Sequence, residues 1–224
     1  MSERRFADLS HTIEHGMVTY RGLPAPLVCD WLSREASRAK YAPGTEFQIG
    51  KLEMVGNTGT YLDSPFHRFE HGTDLAGLAL SSLADLECLV VRVPATTARR
   101  IESLGDPGLS AREIRGKAVL VHTGWDRHWR TDAYFEGHPH LSGELARRLA
   151  DAGAALVGID SFNIDATDTG ERPVHTELLS RGIPIVEHLR GLEALPERGA
   201  RFFAVPPKVA RFGTFPVRAF ALLS

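Results

Sequence analysis

The spacing of apolar and polar residues changes character along the chain. Short apolar runs bounded by Gly, Pro or polar clusters read as buried strands. Residues 86–93 (LECLVVRV) form the strongest such run, closed by Pro94, and residues 117–123 and 155–159 are of the same kind. Residues 6–13 read as an opening strand, followed by a Gly/Pro-rich loop over 16–26. Residues 46–55 alternate loosely and run into Gly56, while 184–187, 200–205 and 215–223 read as later strands. Leu141, Leu145 and Leu149 recur at helical spacing, which predicts a helix over 142–151 with a stop at Gly153. Residues 174–181 read as a second helix ended by Gly182, and Ser110-Ala-Arg-Glu113 as a capping box opening a short one. Strands and helices alternate only in the middle third, and both ends are β-rich. That pattern predicts an α/β fold with a mixed sheet rather than a doubly wound parallel one.

The 224 residues suffice for one large core, and no repeat or low-complexity tract divides them, so residues 1–224 read as a single domain. A formal net charge of −2 without a basic stripe argues against nucleic acid as a partner. The polar N-terminus carries no leader-like apolar stretch, and no apolar run approaches the roughly 20 residues that span a bilayer. A cytoplasmic protein without membrane contact is the expectation. Cys29 and Cys88 lie far apart outside any CxxC, which excludes a disulfide framework or a thiolate zinc site. Neither a glycine-rich phosphate loop nor a GxSxG nucleophile motif occurs.

The chemistry concentrates in Asn57-Thr-Gly-Thr-Tyr-Leu-Asp-Ser-Pro-Phe-His67. If 57–63 is extended, the period of two places Asn57, Gly59, Tyr61 and Asp63 on one face. Pro65 then breaks the strand and turns His67 back toward that face. The alternative is a strand end with a capping Asp and a surface His. A second cluster comprises Asp160, Asp165, Asp168 and Glu171 ahead of Pro173, then His175 at a helix start and Glu187 at a strand end. Glu187 follows Ile185 and Val186, a setting in which a carboxylate needs a cation, a proton or a metal. The Asp run before it reads as loop chemistry and solvation rather than ligation.

Gly59, Thr60, Asp63, Pro65 and His67 resemble the pattern His-x-Gly-Thr-His-x-Asp-x-Pro-x-His of the cyclase family, which includes bacterial kynurenine formamidases and isatin hydrolases. Both leading histidines are replaced, by Asn57 and Tyr61. His175 and Glu187 keep the spacing of the family's later His and Glu. Asp8-Leu-Ser10, Thr123-Gly-Trp125, Gly158-Ile-Asp-Ser161 and Pro216-Val-Arg218 also resemble the family, so the likeness spans nearly the whole chain.

The resemblance implies a barrel-like mixed sheet with flanking helices and a homo-oligomer. It implies metal-dependent hydrolysis of a small linear or cyclic amide, of the arylformamidase type found in tryptophan catabolism via kynurenine. Carried over by position, Asp63, His175 and Glu187 are the metal ligands, with Asn57 and Tyr61 as further candidate donors. His67 is the proton-transfer group, and Asp63 ligates the metal or orients the water. Phe66 and Trp125 are candidate walls for an aromatic or acyl substrate. Loss of two imidazoles implies one divalent ion, manganese or zinc, or none. An oxygen-rich donor set favours manganese, and tight zinc would require another nitrogen, from His138 or His71. The competing reading is a non-catalytic small-molecule-binding protein on the same scaffold. Retention of Asp63, His67, His175 and Glu187 favours catalysis.

Overall fold

The computed structural model describes residues 4–93, 98–105 and 109–223. Pro94, read as the close of the 86–93 strand, lies outside the described residues. In chain order the strands are β1 (Arg5–Asp8), β2 (Leu27–Leu32), β3 (Ile49–Glu53), β4 (Tyr61–Asp63), β5 (Leu86–Arg92), β6 (Arg100–Ile101), β7 (Ala118–His122), β8 (His140–Leu141), β9 (Leu156–Ile159), β10 (Ile185–Glu187), β11 (Arg201–Phe203), β12 (Thr214–Pro216) and β13 (Phe220–Leu223). The α-helices are α1 (Arg34–Ser37), α2 (Ala111–Ile114), α3 (Gly143–Asp151) and α4 (Pro173–Ser180).

Nine strands form one curled sheet in the order β1-β13-β11-β5-β7-β9-β10-β4-β12. The central strands β5, β7, β9 and β10 run parallel, and the strands on both flanks pair antiparallel. This is the mixed sheet that the alternation in the middle third and the β-rich ends require. Helices α3 and α4 cover one face, where Leu145, Leu149, Leu178 and Leu179 pack against Val119, Val121, Val157, Ile159 and Ile185. The other face holds a second core containing Leu62, Val90, Leu120, Leu156, Val186 and Phe202.

Several boundaries differ from the sequence reading, each for a local reason. Only Tyr61–Asp63 of the 57–63 segment is a strand, because Gly59 takes φ +65° and breaks the extended run. The opening strand ends at Asp8, after which Leu9 N donates to Ala219 O. The 215–223 run divides because β12 pairs with β4 at one edge of the sheet, whereas β13 pairs with β1 and β11 near the other. The 46–55 strand pairs only with β2, in a separate two-stranded sheet. The capping box at Ser110 forms as read, with Glu113 accepting from the Ser110 backbone N–H.

Register positions the chemistry. Asp63 lies opposite Ile185 and Thr214, and Tyr61 opposite Glu187 and Pro216. Opposed residues share a face. Leu62, Val186 and Phe215 therefore turn into the second core, and Tyr61, Asp63, Glu187 and Thr214 turn the other way.

After β9 the chain enters a buried loop over 160–165, whose backbone polar groups need partners. Ile164 O accepts from Leu141 N, Ile164 N donates to Glu187 Oε1 at 2.6 Å, and Asp165 N donates to Asn163 Oδ1. His138, fully buried, clamps the loop from outside by pairing through Nε2 with Thr167 Oγ1 at 3.1 Å. Burial holds its imidazole down at about 4. Between the ordinary histidine value and about 4, the unfolded chain takes up a proton that the folded protein refuses. The stability this group contributes is full above the ordinary value and declines as pH falls toward 4. His138→Gln should therefore lose less stability than the parent between pH 7 and pH 4, by on the order of 3 kcal/mol. Urea denaturation at the two pH values measures this; equal losses in both proteins would contradict it.

Candidate functional site

Asp63, His67, His175 and Glu187 come together despite their separation in sequence. His175 Nε2 stands 3.6 Å from Asp63 Oδ2 and 3.8 Å from Glu187 Oε1, in each case beyond hydrogen-bond range. His67 Nδ1 lies 3.8 Å from Asp63 Oδ1, and the two imidazole rings are 6.0 Å apart. Asp63, Glu187 and His175 are buried, whereas His67 opens toward solvent.

Each side chain is placed by its element. Pro65–His67 forms a tight 3-10 turn after β4, pinned by Ser64 N donating to Gly213 O and Phe66 N donating to Thr73 O. Gly213 passes so close beneath this turn that a Cβ there would lie 2.5 Å from His67 N and Cα. His175 sits in the first turn of α4, whose N-terminal N–H groups lack intrahelical partners. Asp165 supplies them: Oδ1 accepts from Val174 N at 2.8 Å and Oδ2 from His175 N at 3.0 Å. The same Oδ2 pairs with His175 Nδ1 at 2.7 Å. One carboxylate thus caps the helix and orients the imidazole, leaving Nε2 directed at Asp63 and Glu187.

Burial alone would lower the His175 imidazole, but Asp165, Asp63 and Glu187 outweigh it and raise it to about 10. Glu187 is pushed up to about 7 by burial, with Asp63 adding and His175 opposing. Burial would also raise Asp63, but His67, His175 and Thr214 hold it below the ordinary carboxylate value.

Thr214 ties two of these groups together. Its hydroxyl donates to Asp63 Oδ1 and lies 2.7 Å from His67 Nδ1. A hydroxyl has one proton. With that proton on the carboxylate, Oγ1 accepts from His67 Nδ1–H, which leaves Nε2 as the basic atom of the neutral ring.

The motif's two substituted positions also line the site. The cavity, of about 270 Å³, is bordered by Tyr20, Asn57, Tyr61, His67, His175 and Glu187. Tyr61 donates to Glu187 Oε2 at 2.6 Å. Burial first, and then the charge of Glu187, push the phenol well above its ordinary value, so it remains a neutral donor. Asn163 donates to Glu187 Oε2 at 3.4 Å and also to the Tyr20 hydroxyl.

Phe66 and Trp125, read as candidate substrate walls, are not among the residues lining this cavity. On a 3-10 turn neighbouring side chains diverge by about 120°, so Phe66 and His67 point apart. Trp125 directs its indole N–H to Tyr134 O at 3.0 Å. The aromatic residues that do line the cavity are Tyr20 and Tyr61. The Asp run also needs correction. Asp168 and Glu171 are solvated, but Asp160 and Asp165 are buried, Asp160 accepting from Thr123 N and Gly124 N. His71 is exposed and His138 is engaged with Thr167, so neither joins the cluster.

A cation fits this arrangement. Among the described residues, Asp63 Oδ2 is buried without a hydrogen-bond partner, facing an imidazole nitrogen whose other side is already anchored. Asp63, His67 and His175 each bring one donor atom within 4.8 Å of the others, and Glu187 Oε1 borders His175. Asp165→Asn removes a charged cap and the anchor of His175. It should lower stability by about 1–2 kcal/mol and weaken divalent-metal binding by about 10–100-fold. Denaturant unfolding and calorimetric manganese titration measure the two effects; unchanged metal affinity would remove Asp165 from the site.

Sequence reasoning missed Thr214, Tyr20, Asn163 and the capping role of Asp165. Thr214 precedes the Pro216-Val-Arg218 flank, and Asn163 and Asp165 follow Gly158-Ile-Asp-Ser161, so proximity to those stretches was the only available signal.

Comparison with known proteins matches this architecture. The kynurenine formamidase of Bacillus cereus (strain ATCC 14579) is 26% identical over 221 residues, covering 98% of each chain, and that of Bacillus mycoides is 27% identical over 220 residues with the same coverage. Isatin hydrolase A from Labrenzia aggregata superposes with a TM-score of 0.81 at 18% identity, covering 98% of this chain and 94% of its own. A structure described as a potential metal-dependent hydrolase with cyclase activity superposes with a TM-score of 0.70 at 24% identity, covering 99% of each chain. The family model Cyclase, described as "Putative cyclase", matches residues 7–166, most of the chain and all of its first motif, so the protein belongs to the cyclase family.

Proposed function

We propose that this protein is a metal-dependent hydrolase of a small amide, of the arylformamidase type, a reading supported by relatives named kynurenine formamidase. The observation that carries the reading is the unpartnered, buried Asp63 Oδ2 facing His175 Nε2. Asp63, His175 and Glu187 would hold one divalent cation. When bound, such an ion supplies a Lewis acid and lowers the pKa of bound water toward neutrality.

The chain's own groups account for orientation and proton movement. Asp165 fixes His175, and the Asp63–Thr214–His67 chain fixes the His67 ring with Nε2 as base. His67 Nε2 takes a proton from the water that attacks the amide carbonyl. It returns that proton to the departing nitrogen as the C–N bond breaks. Water oxygen joins the acyl carbon, and the products are a carboxylic acid and an amine. Tyr20 and Tyr61 supply aromatic wall for an aryl group.

The Tyr61–Glu187 hydrogen bond favours the competing reading, a non-catalytic binder, because it engages one carboxylate oxygen of a proposed ligand. Metal analysis and an activity assay on untagged protein separate the two. Manganese-stimulated hydrolysis of N-phenylformamide supports catalysis. No bound metal and no turnover with added manganese or zinc supports the binder.

His67→Ala should reduce turnover by about 10²–10⁴-fold while metal content stays at the parental level. Metal loss in step with activity would make His67 a ligand instead. Metal choice follows from the donors. One imidazole and two carboxylates form an oxygen-dominated set, so zinc should be weak or absent and manganese the better activator. Asn57→His combined with Tyr61→His restores two nitrogen donors and frees Glu187 from the phenol. This double variant should bind zinc about tenfold or more tightly than the parent by competition with a chromophoric chelator. Stoichiometric, tightly held zinc in the unmodified protein would overturn the assignment.

A further inference from the structure

Two cavities share Arg68 and Arg172 in their linings. Arg68 and Arg172 line the cavity that contains His67, His175 and Glu187. They also line an adjoining cavity of about 870 Å³ that opens along the start of α4. The approach has a regular geometry: the His67 ring faces the His175 ring at 6.0 Å, and one residue further along each segment Arg68 Nε reaches Thr176 Oγ1 at 3.4 Å. Arg68 therefore stands at the mouth of the site, one residue from the proposed proton-transfer group.

Four arginines and four carboxylates line the larger cavity, but they are not all paired with one another. Arg147 pairs with Glu144 and Glu177, and Arg100 pairs with Glu102. Among the described residues, neither Arg68 nor Arg172 has a carboxylate within ion-pair range. Both are nevertheless held in place. Arg172 Nη1 donates to the carbonyls of Ala166, Thr169 and Glu171 at 3.1, 2.8 and 2.7 Å. The Arg68 guanidinium lies over the Phe69 ring at 5.3 Å. Its terminal nitrogens have no protein acceptor among the described residues. Two oriented cations with spare donors and no acidic partner match a planar anion.

We infer that Arg68 and Arg172 recognise a carboxylate on the substrate, so that the preferred amide carries an anionic substituent on its amine side. The inference rests on the proposed hydrolase reading for the position of the scissile bond. The anion subsite is read directly by binding. A carboxylate seated on these donors gains charge-assisted hydrogen bonds that a neutral analogue lacks, which corresponds to about ten- to a hundredfold in affinity.

Binding and turnover are measured separately. Calorimetric or fluorescence titration compares 2- and 3-aminobenzoate with aniline, using parent protein, Arg68→Gln and Arg68→Lys, with circular dichroism to verify the fold. Expected is at least one aminobenzoate bound about tenfold or more tightly than aniline, an advantage that shrinks at high salt. It should collapse in Arg68→Gln and survive in part in Arg68→Lys. Equal affinity for charged and neutral probes in the parent would overturn the inference. So would a preference that persists in Arg68→Gln, which would place the carboxylate on a metal or another group. In parallel, turnover of N-formyl-2-aminobenzoate is compared with that of N-phenylformamide. Hydrolysis of both without preference for the anion contradicts the subsite and leaves the hydrolase reading intact. Hydrolysis of neither contradicts the hydrolase reading, and the titrations still decide the subsite.

Discussion

The site depends on how buried carboxylates are neutralised. Asp63, Asp165 and Glu187 lie out of water around the single imidazole of His175. Isolated charges are costly in such a place. Asp165 is satisfied by two backbone N–H groups and His175 Nδ1. Glu187 receives Ile164 N, Tyr61 and Asn163. Among the described residues, Asp63 receives only Thr214, on one oxygen, and leaves the other bare. The elevated His175 and the raised Glu187 express the same demand: a positive charge must sit among these groups. In the metal-free protein the His175 proton serves, and a divalent cation would replace it.

The surrounding fold exists in part to hold that imbalance. Parallel strands deliver His122, Ile159 and Glu187 with their C-terminal ends on one side of the sheet, where ligand sites of open sheets commonly lie. The antiparallel addition of β4 and β12 brings Asp63 and Thr214 beside Glu187. A slip of one residue in either pairing would send Asp63 into the apolar core and Leu62 into the site. Register is thus fixed by the same alternation that buries Leu62, Val186 and Phe215.

The sequence made the strong periodic elements visible. The apolar strands at 86–93, 117–123 and 155–159 and the Leu145/Leu149 helix rest on local patterns, and the structure shows each with boundaries shifted by no more than one residue. The spacing of His175 and Glu187 pointed to their meeting, because a helix start and the following strand end are linked by a short return. Thr214 was not legible, because its place beside Asp63 comes from strand pairing across 151 residues. Asp165 read as a solvated loop residue, since nothing local signals that residues 160–165 are buried under Leu141 and Glu187. Phe66 and Trp125 stand beside motif residues in the sequence, yet neither lines the cavity, because position in a tight turn does not give direction.

Asn57 and Tyr61 are where this chain departs from its family's motif, and Tyr61 shows what the departure does physically. A histidine offers a lone pair to a metal. A buried phenol held above its ordinary value offers a proton instead, and Glu187 accepts it. Coordination is thereby replaced by hydrogen bonding on one side of the site, with Tyr20 and Asn163 extending the network. The other side, Asp63 with His67, His175 and Thr214, keeps an unsatisfied oxygen and an oriented base. The substitution thus leaves the Asp63–Thr214–His67 arrangement intact and gives the Glu187 side fewer lone-pair donors. A cation held by such a site would be chosen by charge and oxygen affinity more than by nitrogen ligation, with Asp63 Oδ2 as the donor left open to it.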